Sequence, residues 1–321
     1  MTAYRKIFDP PLVPPAATAP APPMADRGDD LAYVYHEDLV LAVNVAMATG
    51  RPLLLRGRPG TGKSSLARDV ALHLGRRFYP RTISSRTQAR DLLWTVDDVA
   101  RLSDATGGGG ARERAEYMLP GVLWWAFHPA SAAWRGLPPA GDPLPDPNEN
   151  PSAASATGAV VLLDEIDKAD PDVPNDLLEP LGLYRFRTEQ GTVIEAERSP
   201  EHAPLVVLTT NEERELPKAF LRRCVVHVLP WPTRRRLRDI AAVRLGPSPD
   251  GLYEKVVQAL AGPPPADPAI TPDDELVDVS IAEFLDAVAA ARELDIPPDH
   301  PRWPAVLAAT TAKPSAIDLR R

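Results

Sequence analysis

Leu53, Leu54 and Leu55 lead into GRPGTGKSS, residues 57 to 65, and the stretch that follows, to Leu74, is apolar at helical spacing. A short continuous apolar run is what a strand buried on both faces of a parallel sheet looks like. Gly57, Gly62, Lys63 and Ser64 fit G-x-x-x-x-G-K-[ST], in the strand, loop and helix setting that this pattern requires. Glycines let backbone N–H groups turn inward around phosphate oxygens, and the helix N-terminus adds partial positive charge. Gly57, Pro59, Gly60, Thr61, Gly62, Lys63, Ser64 and Ser65 are therefore candidate nucleotide-binding residues. Lys63 is placed to reach the terminal phosphates and Ser64 to coordinate Mg²⁺. A loop of this kind binds nucleotide; hydrolysis needs more.

VVLLDEIDKAD, residues 160 to 170, supplies it. Its apolar residues read as a central strand with Asp164 at the C-terminal end, where ligands of open α/β sheets collect. Asp164 is the candidate Mg²⁺ carboxylate. Glu165 is the candidate group that orients an attacking water or takes its proton. Asp167, Lys168 and Asp170 receive no catalytic role, because turn chemistry and N-capping of a helix at Val173 account for them. LVVLTTNEER, residues 205 to 214, is a second apolar run ending in Thr209, Thr210 and Asn211. Taken alone, Asn211 reads as a turn residue; if the two strands are neighbours, it stands near the γ-phosphate.

The remaining chain fits one architecture. Apolar runs at 53–55, 159–163, 205–210 and 225–229 alternate with helical patterns at 38–49, 63–74, 89–102, 173–181 and 218–221, the first ending in Gly50 as a C-cap. Alternation of this kind predicts a three-layer α/β core with a parallel sheet over 35–230. Past Pro232 the strand signals stop, and 233–245, 252–261, 280–294 and 303–312 predict a smaller all-helical lid domain over 231–321. Residues 1–34 are proline-rich without amphipathic period and read as a flexible arm with no core to join. Residues 107–110 and 136–158 read as loops or insertions.

Composition mainly excludes. No stretch is long and apolar enough for a membrane span, and MTAYRKIFDPPLVPPAATAP has no signal-peptide h-region, which argues for the cytoplasm. The single cysteine, Cys224, forbids an intrachain disulfide and reads as a small buried hydrophobe. A net charge of −8 weighs against a protein that coats nucleic acid. Between Gly246 and His300 there are twelve Asp or Glu against two basic residues, while Arg234, Arg235, Arg236 and Arg238 crowd the segment just before.

With these motifs in this order, followed by LPKAFLRRC and a helical lobe, the chain resembles the AAA+ ATPases of the P-loop NTPase class. TQARDLLW, YMLPGVLWWAF, DEIDKADPDVPNDLLEPL, YRFRTEQG and TTNEERELPKAFLRRC are similar to the MoxR-type branch. The resemblance covers residues 35 to about 230 well and the later lobe loosely. It implies ATP and Mg²⁺ as ligands, Gly57–Ser64 as Walker A, Asp164 and Glu165 as Walker B, and Asn211 as sensor 1. It also implies that Arg222 or Arg223 is an arginine finger acting in trans, with Arg223 the better match. Residues 117–125 would belong to an insert in the second core helix and 185–193 to a hairpin before sensor 1. TAKPSAIDL offers Lys313 where the family has a sensor 2 arginine, a point charge in place of a fork. The 130–158 loop and ELDIPPDHPRWP, 293–304, have no counterpart.

An arginine that serves a neighbour's nucleotide implies a head-to-tail homo-oligomer, in this family a hexameric ring. The expectation is a ring-forming, chaperone-like remodelling ATPase acting on a protein client, with a von Willebrand factor A domain partner implied by the resemblance. A nucleic-acid motor or nucleotide-sensing defence component is the alternative. The acidic balance and the lack of an appended DNA-binding module stand against it. A metabolite kinase would explain the loop but not Glu165, Asn211 and the arginine pair together.

Overall fold

The computed structural model describes residues 4–15, 33–107, 110, 112–156, 158–199, 202–262 and 271–311. They form two compact units. The first takes in residues 4–10, 38–56 and 66–228; the second takes in 11–15, 33–37, 57–65 and the chain from Leu229.

The first unit is built on a five-stranded sheet of β1 (Leu53–Arg56), β2 (Arg77–Thr82), β5 (Ala159–Asp164), β8 (Leu205–Thr210) and β9 (Val225–Val228), in the order β2-β5-β8-β1-β9. Every pairing within it is parallel. Burial follows the sequence pattern: β8 is buried at all its positions, β5 at all but Asp164 and β1 at all but Arg56, as strands covered on both faces should be. The helices α1 (Glu37–Thr49) and α2 (Lys63–His73) flank β1 in the chain, and Gly50 closes α1 in the left-handed region at φ 60°. The register sets Thr82 and Asp164 side by side at the C-terminal strand ends.

Several expectations need correction. Residues 89–102 are not one helix but α3 (Ala89–Leu93), β3 (Trp94–Val96) and the start of α4 (Asp98–Thr106). Trp94-Thr95-Val96 pairs antiparallel with β4 (Met118–Pro120), and the Asp97 carboxylate caps α4 by accepting the Ala100 N–H at 2.8 Å. The helix expected at 173–181 is broken into α7 (Asp172–Asp176) and α8 (Leu178–Leu183). Pro180 has no N–H for the carbonyl four residues back and clashes with it. The run at 225–229 is an edge strand rather than a buried one, with Val226 at 41% and Val228 at 58% exposure. β2 escaped the sequence reading because RFYPRT carries Pro80 and two arginines; it too is an edge strand, where proline is tolerated. Part of the 136–158 segment covers that edge: Asn148 Oδ1 accepts the Phe78 N–H at 2.8 Å and Glu149 N–H donates to Phe78 O at 2.9 Å.

The resemblance's other two segments take definite places. Residues 117–125 hold β4 and the start of α5 (Val122–Phe127), with Trp124 fully buried and edge-on to Phe186 at 5.8 Å; α6 (Pro129–Ala133) follows. Residues 185–195 form the expected hairpin, β6 (Arg185–Arg187) paired with β7 (Val193–Glu195). Between β8 and β9 lies α9 (Lys218–Leu221).

The arm does find partners at its described ends. Phe8 is buried at 2% exposure because the Asn44 side chain offers a complete match: Oδ1 accepts the N–H groups of Ile7 and Phe8, and Nδ2 donates to Phe8 O at 2.7 Å. In the second unit Tyr35 N–H donates to Leu12 O at 2.7 Å.

That unit carries α10 (Arg234–Leu245), α11 (Leu252–Ala261), α12 (Ile281–Glu293) and α13 (Trp303–Thr311), close to the four expected spans. Leu237, Val256, Val257, Phe284, Ala287 and Val288 form its fully buried centre. Arg234, at 3% exposure, is partnered inside it by Glu275 at 2.6 Å and by the carbonyls of Ala261 and Gly262. Among the described residues no helix is long and apolar enough to cross a membrane.

Candidate functional site

The phosphate-type loop leaves the end of β1 and opens α2. Gly57, Gly60 and Gly62 all have positive φ, at 147°, 77° and 87°. Only glycine adopts such a series freely, and the turns it allows direct backbone N–H groups inward. Lys63, 7% exposed, donates Nζ to Gly57 O at 2.6 Å and Arg58 O at 2.9 Å, so its ammonium spans the loop's own mouth. Thr61 pins the turn by donating to Arg58 O at 2.9 Å.

Within the same unit the loop rests on the start of α12. Gly60 O accepts the Ile281 N–H at 3.1 Å, and a Cβ on Gly60 would stand 2.7 Å from Ser280 Cβ. Ser280 and Glu283 form a reciprocal capping box there. Arg58 packs its guanidinium over Trp231 at 5.1 Å and faces Asp278 at 3.3 Å.

In the first unit the acidic residues lie at adjoining strand ends. Register pairs Leu163 with Leu208, which sets Asp164 beside Thr209. Thr209, fully buried, donates its hydroxyl to Asp164 Oδ1 and accepts the Glu165 N–H at 2.8 Å. Glu165 follows in the left-handed region, φ 61° and ψ 48°, turning its side chain away from the strand direction. Its Oε1 accepts from Asn211 Nδ2 at 3.2 Å and its Oε2 from Lys168 Nζ at 2.7 Å. That hydrogen bond, with the charges of Glu165, Glu213 and Asp167 behind it, holds the Lys168 ammonium above its ordinary value against a desolvation that pulls the other way. Asp167 Oδ2 accepts the Glu213 N–H at 3.0 Å and so ties the turn after β5 to the turn after β8. The connected set is Asp164, Thr209, Glu165, Asn211 and Lys168: a carboxylate fit for a hard cation, a second carboxylate for proton transfer, and an amide beside it.

Arg222 and Arg223 are exposed at the end of α9. Arg51 holds the segment by donating to the carbonyls of Arg222, Arg223 and Cys224, the last at 2.8 Å. Arg223 Nη1 donates to Leu178 O at 3.0 Å. These residues line a groove of about 490 Å³ with Thr49, Glu179 and Gly182, an open cationic surface on the side of β1 opposite its C-terminal end. Lys313 lies outside the described residues.

The family model of the AAA domain, dynein-related subfamily, matches residues 52–224, more than half of the 321 residues. The chain belongs to that family. As an AAA domain it is a P-loop ATPase by class, and its five-stranded parallel sheet is that class's sheet. No curated protein matches it. Among solved structures it is similar to the Thermotoga maritima RuvB Holliday junction branch migration motor, at 16% identity and TM-score 0.43, over 85% of this chain and 66% of that one. A point mutant of the same RuvB gives 16% identity and TM-score 0.46, over 85% and 67%. The AAA chain thus spans just under two thirds of the first of these.

Sequence reasoning set Asp164, Glu165 and Asn211 at the ends of their strands, where the structure has them, but gave Thr209 no part and read Lys168 only as turn chemistry. Thr209 carried a signal: a polar residue closing an otherwise apolar strand, level with Asp164 once the two strands pair in parallel. Lys168 carried one only after the turn was known, since the 3₁₀ turn Ile166–Lys168 is what folds it back onto Glu165. Ser280 marks only the start of its own helix, and neither it nor Arg51 carries a local sign of the distant segment that it supports.

Proposed function

We propose that this AAA domain is a Mg²⁺-dependent ATPase of the MoxR type, working in the cytoplasm as a ring of like subunits that remodels a protein partner. The observation that carries the catalytic half is the hydrogen-bonded set at the ends of β5 and β8, in which Asn211 meets the Glu165 carboxylate and Thr209 links Glu165 to Asp164. In this reading Gly57–Ser65 cradles the phosphates, Lys63 leaves its loop carbonyls for phosphate oxygens, and Ser64 and Asp164 are the residues that would hold Mg²⁺. The ion's chemistry is to offset charge on the phosphate oxygens. Glu165 takes a proton from water as the water oxygen bonds to the γ-phosphorus; the bond to the bridging oxygen breaks, and ADP and phosphate leave.

The finer identity rests on the MoxR-like segments together with the β6–β7 hairpin and the exposed Arg222–Arg223 pair. Arg223 is the finger for the neighbour's γ-phosphate, which makes the assembly head-to-tail and, on closure, a hexamer. Lys313 is the proposed sensor 2 group, and the chain divides into a core to residue 230 and a lid after it. A protein with a von Willebrand factor A domain is the partner this reading favours.

Glu165→Gln tests it. The variant should bind ATP as wild type does, turn it over at a small fraction of the wild-type rate, and retain the protein partner in the presence of ATP. Hydrolysis at the wild-type rate would sink the assignment. Stimulation of wild-type turnover by DNA that fades with added salt would redirect the proposal from a protein client to nucleic acid.

A further inference from the structure

Both oxygens of the Glu165 carboxylate are engaged. Lys168 Nζ donates to Oε2 at 2.7 Å and Asn211 Nδ2 to Oε1 at 3.2 Å. The lone pairs of both oxygens are thus directed at donors already in place, and the carboxylate is turned toward them and not toward an attacking water. That is a poor state for taking a proton from water. The arrangement is local: the left-handed backbone at Glu165 starts a single 3₁₀ turn, closed by Lys168 N–H on Glu165 O at 2.9 Å, which returns the lysine side chain to the carboxylate. Asp167 makes no hydrogen bond to the ammonium: its Oδ2 accepts the Glu213 N–H, and its Oδ1 is buried without a hydrogen-bond partner among the described residues.

We infer that Lys168 is a positioning residue that restrains Glu165, holding its carboxylate in a resting orientation which is given up before Glu165 engages the attacking water. The inference rests on the reading of Glu165 as the water-activating group. The side chains of Lys168 and Glu165 are 39% and 29% exposed, and an ion pair this open to solvent is weak, so its release changes the rate by a factor of about two to five.

The test is steady-state ATP hydrolysis by the full chain at saturating Mg²⁺ and ATP. Lys168→Met keeps the aliphatic stem and removes the ammonium; kcat should rise about two- to fivefold with KM for ATP unchanged, because the effect lies after binding. Lys168→Arg keeps a cation within reach and should return kcat to the wild-type value. Lys168→Met combined with Glu165→Gln should show no rise, because the effect passes through Glu165. If Glu165→Gln is inactive but Lys168→Met leaves kcat unchanged or lowers it, the restraint is overturned and the ATPase reading stands. If Glu165→Gln turns over at the wild-type rate, both fall.

Discussion

The Thr209 hydroxyl donates to Asp164 and at the same time accepts the backbone N–H of Glu165, so one buried side chain fixes the distance between the two acidic residues. Thr209→Val keeps the shape and removes both bonds, leaving a carboxylate oxygen and an N–H without this partner. Loss of such a buried partner costs about 1–3 kcal/mol. The expected result is a fall in kcat of roughly tenfold to a hundredfold, a higher Mg²⁺ concentration for half-maximal activity, and ATP binding that survives. Thr209→Ser should recover most of the rate, and unchanged kcat in Thr209→Val would remove Thr209 from the site.

Arg51 and Arg223 make a second pair. Arg51 Nε reaches Arg223 O at 3.2 Å, and its Nη2 takes the carbonyls of Arg222 and Cys224. A planar fork matches this three-carbonyl target, and lysine, a point charge, does not. Arg51→Ala and Arg51→Lys should both bind ATP normally yet lose turnover by about tenfold or more, as Arg223→Ala should. Because Arg51 holds the segment that carries Arg223, Arg51→Ala combined with Arg223→Ala should be no slower than Arg223→Ala alone. Turnover per subunit in the wild type should fall on dilution. Additive losses in the double variant would separate the role of Arg51 from that of Arg223.

What the sequence made legible follows from where physics acts locally. β1, β5 and β8 are buried on both faces, so their residues are apolar up to the polar or charged C-terminal ends and stand out. The helices of the second unit announce themselves through caps such as Ser280 with Glu283 and through proline-rich breaks. β2 and β9 are edge strands, freed from burial on one side, and so carry Pro80, arginines and exposed valines that blur the pattern. β3 hid inside a helical period because its three residues are set by pairing with β4, more than twenty residues later. At the site, the charged and polar residues that end β5 and β8 were readable one strand at a time. Their mutual contacts depend on register and on one left-handed residue, Glu165, which no local propensity specifies.

Gly60 is under two constraints at once. Its φ of 77° penalises any side chain, and a Cβ there would lie 2.7 Å from Ser280 Cβ. Gly60→Ala should therefore destabilise the fold by about 1–3 kcal/mol and weaken ATP binding as the loop shifts. Gly60→Ala with Ser280→Gly relieves the collision but not the backbone cost, so chemical denaturation should show partial recovery. Full recovery would mean that the dihedral angle is of no consequence, and no loss in the single variant would mean that the loop is not held against α12.

Cys224 follows Arg223 and is buried at 5% exposure, with Sγ donating to Phe220 O at 3.4 Å. Burial pushes its thiol up to about 12, against a smaller downward pull from Arg51. The thiolate is the nucleophile, so native protein at pH 8 should react with iodoacetamide far more slowly than protein unfolded in guanidinium. The sign of the linkage is fixed as well. A folded-state value above the unfolded one means that the folded thiol keeps its proton where the unfolded one releases it. This contribution to stability is whole below the ordinary thiol range and is lost as pH rises from there toward about 12. Cys224→Ala should flatten that alkaline fall measured by denaturation. Equal labelling rates in native and unfolded protein would show instead that the segment opens readily, and Arg51→Ala, which frees its carbonyls, should move the native rate in that direction.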